Sequence, residues 1–246
     1  MLKKIANTLI WVFLLGYLIV VFSFANGKSE KLVFSGTLVN VVDSVKRGFV
    51  SNSDVERIIK KKYPGVVGTT ISEVNKEALE DLIDKIPYVK KSEVYNSLSG
   101  KLIVEIKQRN PIVRILSGNG YYIDADGEKM PLSVNFTSRV LVVSGAVNDQ
   151  LIKEELFELV KFITNDEFWK SQITQIDVDR NKEYVLIPRV GAHKIELGSI
   201  ENYEQKFQKL RALYTKGFSK KGWNTYSKIN LKYKNQVVCT KKNLND

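Results

Sequence analysis

The two residue types that most often carry nucleophilic or metal chemistry occur once each, as Cys239 and His193. A zinc site needs three or four protein ligands, so this pair alone holds no metal. One cysteine forms no intramolecular disulfide. Cys239 lies in an apolar strand pattern, which reads as a packed thiol rather than an activated thiolate. Sequence alone leaves open whether the fold brings it to His193. No Ser or Asp stands at a motif spacing that would recruit His193 to a triad. Asp124-Ala125-Asp126-Gly127 begins like a calcium loop, but later carboxylates miss the required positions, and a β-turn is the better reading. Gly27-Lys28-Ser29 ends like a phosphate-binding loop, yet Phe22 stands where its first glycine belongs. Gly118-Asn119-Gly120 lacks the third glycine of a dinucleotide loop. No catalytic, metal or cofactor site assembles from these residues. The expectation is a binding protein, not an enzyme, with no cofactor.

The elements that would position a binding surface begin with Ile5 to Ala25, a run without a charged residue. A helix rises about 1.5 Å per residue, so roughly 20 such residues cross a hydrocarbon core about 30 Å thick. A cleaved signal peptide is the rival reading, since Ser23-Phe24-Ala25 has the form of a cleavage site. Signal cores run about 7 to 15 residues, however, and this run is longer. The expectation is a retained single-span anchor, with Lys3 and Lys4 on the cytoplasmic side and the body outside the cytoplasm. The formal net charge of +11 admits nucleic acid or anionic lipid as a partner. The lysines are scattered rather than clustered, so a solvated surface is favoured and no nucleic acid is expected.

After a polar linker, Leu32 to Val45 reads as a valine-rich strand. Ser53-Asp54-Val55-Glu56 is a capping box that opens a helix with Val55, Ile58 and Ile59 inward. A second helix starts at Asn75, with Leu79, Leu82, Ile83 and Ile86 on one stripe, and stops at Pro87. Tyr88 to Tyr95 and Lys101 to Gln108 read as strands around the turn 96–100. Strand, helix, helix, strand, strand makes a small three-stranded sheet covered by two helices. A boundary falls at Arg109-Asn110-Pro111. Beyond it come a strand at Ile112 to Leu116, a strand at Arg139 to Val143 and an amphipathic helix at Leu151 to Thr164. A strand meander follows over 173–197, then a helix from Glu201 to Lys216 capped by Gly217. Tyr226 to Thr240 reads as a final strand region, with Ile229, Leu231 and Tyr233 alternating against polar neighbours.

This order resembles the FtsQ/DivIB family of bacterial cell-division proteins, and its small domain resembles a POTRA module. The resemblance is carried by Phe49 to Val55, Ile86 to Tyr95, Leu102 to Ile112 with Arg109 and Pro111, and Tyr122 to Gly127. Ile195 to Gly198, Lys206, Leu210 and Ile229 to Tyr233 continue it. Asn230 stands where the family often has Asp, and Lys232 where it often has Arg. The fold class implied is α+β, with one N-terminal transmembrane helix, a POTRA domain (β-α-α-β-β) and a mixed β domain with flanking helices. The segments are a cytoplasmic tail (1–4), the transmembrane helix (5–25), a linker (26–31), the POTRA domain (32–110), the β domain (111–240) and a loose tail (241–246).

The resemblance implies a non-enzymatic bitopic scaffold of the divisome that recruits FtsB- and FtsL-type partners at the septum and links to septal peptidoglycan synthesis. It places the main partner site on the last strand, here Lys228, Ile229, Asn230, Leu231, Lys232 and Tyr233. A sheet edge there would accept a partner segment as one more strand. Tyr233 would anchor it and Lys232 would meet a partner carboxylate. A second contact is expected on the POTRA face at Val50, Ser51, Asp54 and Val55. The main alternative is a POTRA-bearing chaperone for protein export or outer-membrane assembly, which would bind clients by the same edge pairing. Chains of that class carry several POTRA repeats or a barrel, and no internal repeat is visible. A membrane-anchored wall hydrolase would need a carboxylate or His–metal constellation that the residues do not supply.

Overall fold

The computed structural model describes residues 2–29, 33–42, 48–218 and 222–242. The chain divides into two compact units, Met1–Gln108 and Arg109–Asp246, a divide two residues ahead of the expected boundary.

In the first unit, helix α1 (Leu2–Ser29) takes in the apolar run and also residues 26–29, which were expected in the linker. Its large apolar side chains from Leu9 to Phe22 are all exposed. Among the described residues no helix is long and apolar enough to cross a membrane. The charge-free run extends on both sides beyond the side chains described there, residues 7–22.

Strand β1 (Gly36–Val41), helices α2 (Asn52–Lys62) and α3 (Lys76–Asp84), and strands β2 (Val89–Asn96) and β3 (Lys101–Gln108) follow in the expected order. The sheet order is β1-β3-β2, with β1 parallel and β2 antiparallel to β3. Val55 and Ile59 of α2 and Leu79 and Ile83 of α3 are buried against it. Each contributes roughly 1.5–3 kcal/mol of apolar burial. The cap of α2 corrects the sequence reading. Ser51, not Ser53, is the N-cap, and its box partner is Asp54 rather than Glu56. Ser51-x-x-Asp54 and Ser53-x-x-Glu56 overlap in sequence, so local chemistry permits both. A distant group decides between them: the Val50 N–H donates to the buried Gln108 Oε1 at 3.0 Å and fixes where the chain turns into the helix.

Among the described residues the second unit holds a mixed nine-stranded sheet ordered β12-β11-β10-β9-β8-β7-β4-β5-β6. Its strands are β4 (Pro111–Ile115), β5 (Tyr121–Asp124), β6 (Lys129–Pro131), β7 (Leu141–Gly145), β8 (Ile173–Val178), β9 (Tyr184–Pro188), β10 (Lys194–Gly198), β11 (Tyr226–Asn230) and β12 (Val238–Lys241). The expected helix at 151–164 is α4 (Asp149–Leu151), a π turn (Ile152–Leu156) and α5 (Phe157–Asn165) in succession. Its predicted inward set, Ile152, Leu156, Leu159, Val160 and Ile163, is buried. Helix α6 (Glu167–Gln172) was not foreseen; α7 (Tyr203–Ala212) was, and it ends in a second π turn (Leu213–Gly217). Gly217 lies inside that turn and Phe218 is the cap, against expectation.

These helices and one face of the sheet enclose the core, with Trp169, Phe207 and Tyr214 stacked edge to face at its centre. The other face of β7 to β11 carries the half-exposed alternates Ser144, Gln175, Asp177, Val185 and Glu196. The single predicted strand region 226–240 is two strands joined by a loop. The Asn230 side chain explains the break: its Oδ1 accepts the Lys232 N–H at 2.9 Å and turns the chain out of the ladder.

Candidate functional site: the C-terminal sheet edge

The break at Asn230 separates the six residues expected to meet a partner. Ile229 and Leu231 are fully buried and belong to the core. Lys228 and Asn230 point to the opposite face and converge on one carboxylate. Lys228 Nζ lies 2.8 Å from Glu196 Oε1, and Asn230 Nδ2 donates to Glu196 Oε2 at 2.9 Å. Lys232 lies past the strand and pairs with Glu183. That hydrogen bond raises the Lys232 pKa and holds the ammonium charged. Tyr233 is half exposed, and its carbonyl accepts a hydrogen bond from Lys209 Nζ at 2.7 Å.

The structure corrects the expectation that 228–233 is an open sheet edge. β11 is covered on both sides, by β10 in parallel and by β12 antiparallel. Among the described residues the edge at this end of the sheet is β12, Val238 to Lys241, with Val238, Thr240 and Lys241 exposed; β6 is the edge at the other end. Cys239 pairs with Ile229 and packs its thiol on the core side, while Thr240 lies opposite Lys228. Burial raises the Cys239 pKa, which keeps it a thiol. Sequence reasoning missed that β12 is a separate strand. The signal was the polar run Tyr233-Lys234-Asn235-Gln236, which punctuates two strands. It was hidden by the alternation of Ile229, Leu231 and Tyr233. Beside the edge, the uncovered sheet face forms a shallow groove of about 600 Å³ over Val185 and Ile187, rimmed by Asp177, Lys194, Glu196 and Lys228.

His193 and Cys239 do not make a reactive pair. His193 is buried in an aromatic cluster, its Nε2 3.0 Å from the Tyr214 hydroxyl and its ring tilted on Phe218. Burial pushes its pKa below the usual imidazole value, and the nearby Trp223 carbonyl offsets this only in part. Nδ1 has no well-placed hydrogen-bond partner. The Asp124 turn is structural, as read: Oδ1 accepts the N–H groups of Asp126 and Glu128 at 2.9 and 2.8 Å. Among the described residues no group of three His, Cys, Asp or Glu side chains is placed to hold a metal.

The second expected contact does not present a continuous surface. Val50 and Val55 are buried in the core of the first unit, 5% and 0% exposed, which corrects their reading as contact residues. Ser51 and Asp54 are engaged in the capping box, where the Ser51 hydroxyl donates to Asp54 Oδ2 at 2.6 Å. That bond and the Ser51 N–H lower the Asp54 pKa.

The β2 edge of the same sheet bears on the chaperone alternative. The Ser92 N–H donates to Asp84 Oδ1 at 2.7 Å, and the Val94 N–H donates to Glu80 Oε1 at 2.6 Å. Residues two apart on a strand point their amides the same way, so consecutive outward donors of β2 are both occupied by carboxylates from α3. A client strand would have to displace both.

Residues 110–240 match a family described as FtsQ/DivIB, C-terminal related, and residues 34–107 match a POTRA-like domain. The cell division protein FtsQ of Geotalea daltonii is 23% identical over 175 residues, covering 67% of this chain and 62% of that protein. The chain therefore matches less than two thirds of the length of that relative.

Proposed function

The chain belongs to the FtsQ/DivIB family, and from that premise we propose that it is a non-enzymatic scaffold of the bacterial division machinery, holding FtsB- and FtsL-type partners by strand addition at β12. The family points to a role in cell division. The observation that carries the mechanism is that β12, five residues after the exposed Tyr233, is the outermost strand at its end of the sheet among the described residues. An edge strand offers a row of backbone donors and acceptors that a partner segment can pair with. Lys241 and Lys242 lie on or next to β12 and Lys228 on its neighbour, while Lys228 and Lys232 are paired with Glu196 and Glu183 and the exposed Lys234 lies in the loop before it. An acidic partner segment complements them, and Lys232, held by a single surface carboxylate, exchanges partners at little cost.

The charge-free run 5–25 is the membrane anchor in this reading. Its large apolar side chains from Leu9 to Phe22 are exposed, and lipid would cover them. The tail 1–4 would lie in the cytoplasm and the folded part of the chain after the anchor outside it, at the inner membrane of the septum. Septal peptidoglycan synthesis would be reached through the bound partners.

A photo-reactive residue in place of the exposed Thr240 tests the site in dividing cells. Capture of an FtsB- or FtsL-type protein is expected. In titrations with that partner, Tyr233→Ala and Lys232→Glu should each weaken binding by about tenfold or more with an unchanged circular dichroism spectrum. Unchanged affinity in both variants, with no division protein crosslinked, removes the site.

A further inference from the structure

We propose that the end of the first unit formed by residues 33–35, 65–70 and 97–100 rests in the membrane interface as an apolar, lysine-rimmed tip. The three segments are stitched together. The Phe34 N–H donates to the Thr69 carbonyl at 3.0 Å, the Gly68 N–H to the Phe34 carbonyl at 2.8 Å, and the Ser35 N–H to the Gly100 carbonyl at 2.8 Å. Each contributes one large apolar side chain that stays exposed: Val33 is 52% exposed, Val67 61% and Leu98 108%. Leu98 sits on the β2–β3 turn, where a polar residue would be the ordinary choice.

The surroundings are basic. Helix α2 ends at this tip in Lys60-Lys61-Lys62, all exposed, and the exposed Lys101 follows the turn. Apolar side chains within a cationic rim match a lipid surface, where the chains enter the headgroup layer and the ammonium groups meet anionic lipid. Lysines alone would suit an acidic protein equally; the apolar side chains they surround and the short tether to the apolar run favour the lipid surface.

Chain length supplies the occupant. Helix α1 ends at Ser29, and Val33 follows four residues later, about 14 Å away at most. The helix from Ala25 to Ser29 adds roughly 6 Å. The tip is therefore tethered within about 20 Å of the last residue of the apolar run, close to the headgroup layer if that run spans the bilayer. The proposal rests on the anchor reading. A unit fixed at this end is held upright on the membrane, so the anchor and the tip together set its orientation.

The test uses the full chain with Cys239→Ser, reconstituted in vesicles of phosphatidylcholine and phosphatidylglycerol. An environment-sensitive fluorophore is placed at Leu98→Cys, at Val67→Cys or, as control, at Ser53→Cys near the opposite end of α2. Blue-shifted emission, with most of the signal lost to spin-labelled lipid, is expected at 98 and 67 but not at 53. Lys60→Glu/Lys61→Glu/Lys62→Glu should reduce that quenching. A chain that resists carbonate extraction but gives the same emission at all three positions overturns the tip and leaves the anchor standing. A chain that carbonate extracts overturns the anchor reading and the tip with it.

Discussion

The Arg109 guanidinium lies 2.9 Å from Oδ2 of Asp124, a carboxylate with no exposed side-chain surface. The other carboxylate oxygen caps the turn after β5, and the Ala125 N–H returns to the Asn110 carbonyl at 3.0 Å. The Arg109-Asn110-Pro111 and Asp124-to-Gly127 stretches, separate in sequence, are therefore one structural unit. It fixes where the second unit begins and how β4 and β5 pair. Gly127 closes the turn at φ +89°, a conformation that penalises any side chain, with the Phe157 ring in contact distance of an added Cβ.

Removing this carboxylate should destabilise the second unit strongly. Asp124→Ala strips the turn of its acceptor and leaves a largely buried guanidinium unpaired. The loss should be about 3 kcal/mol, at the lower end for a broken buried pair because Arg109 keeps some contact with water. Asp124→Asn keeps Oδ1 as acceptor and should lose less. Urea unfolding of the variants measures both; equal losses would show that the charge pair, not the turn, dominates.

The carboxylates over the β2 edge yield a different outcome. Glu80→Ala/Asp84→Ala frees the Ser92 and Val94 amides on the part of β2 that pairs with β3 in continuous register, Lys91 to Asn96. Exposed strand edges template pairing with another chain. The variant should lose about 3 kcal/mol of stability, roughly 1 kcal/mol for each of three hydrogen bonds, since Asp84 also accepts the Ser92 hydroxyl at 2.7 Å, and should also self-associate. Glu80→Gln/Asp84→Asn keeps both acceptors and should stay monomeric. Sedimentation of the two variants over a concentration series in detergent decides it. A monomeric alanine variant means these carboxylates do not guard the edge.

How far the fold was legible follows from where its determinants lie. Helix α3 was legible because Asn75 caps it and Leu79 and Ile83 repeat at helical spacing, both local facts. Strand β3 was found at its observed bounds, and the consecutive Leu102, Ile103 and Val104 are all buried, so it is covered on both faces there. The start of α2 was misplaced by two residues because Gln108, more than fifty residues away, selects the cap. Helix α6 escaped because six residues are too few for a periodic signal, although Asp166 announces it by accepting the Phe168 and Trp169 amides. The candidate site was legible as a region and wrong in its geometry. The alternation 229–233 continues through a position where an Asn side chain ends the strand, and only the sheet order shows that β12 takes the edge.

His193 should make the second unit sensitive to mild acid. Its imidazole is buried among Tyr214, Phe218 and Trp223, and burial holds its pKa below the ordinary value of 6.5. The unfolded chain therefore binds a proton at a higher pH than the folded one. Stability is fully present above pH 6.5 and is lost as pH falls through that value toward the folded pKa. One such group contributes a slope of at most about 1.4 kcal/mol per pH unit. Carboxylates add their own acid slope, mainly below pH 5, so the window from 7.5 to 5.5 isolates the histidine. His193→Gln keeps a polar contact for the Tyr214 hydroxyl but does not titrate. Its urea midpoint should vary less across that window than that of the unsubstituted protein, even if it starts lower. Parallel pH profiles for the two proteins would mean that His193 takes up its proton without disturbing the aromatic cluster.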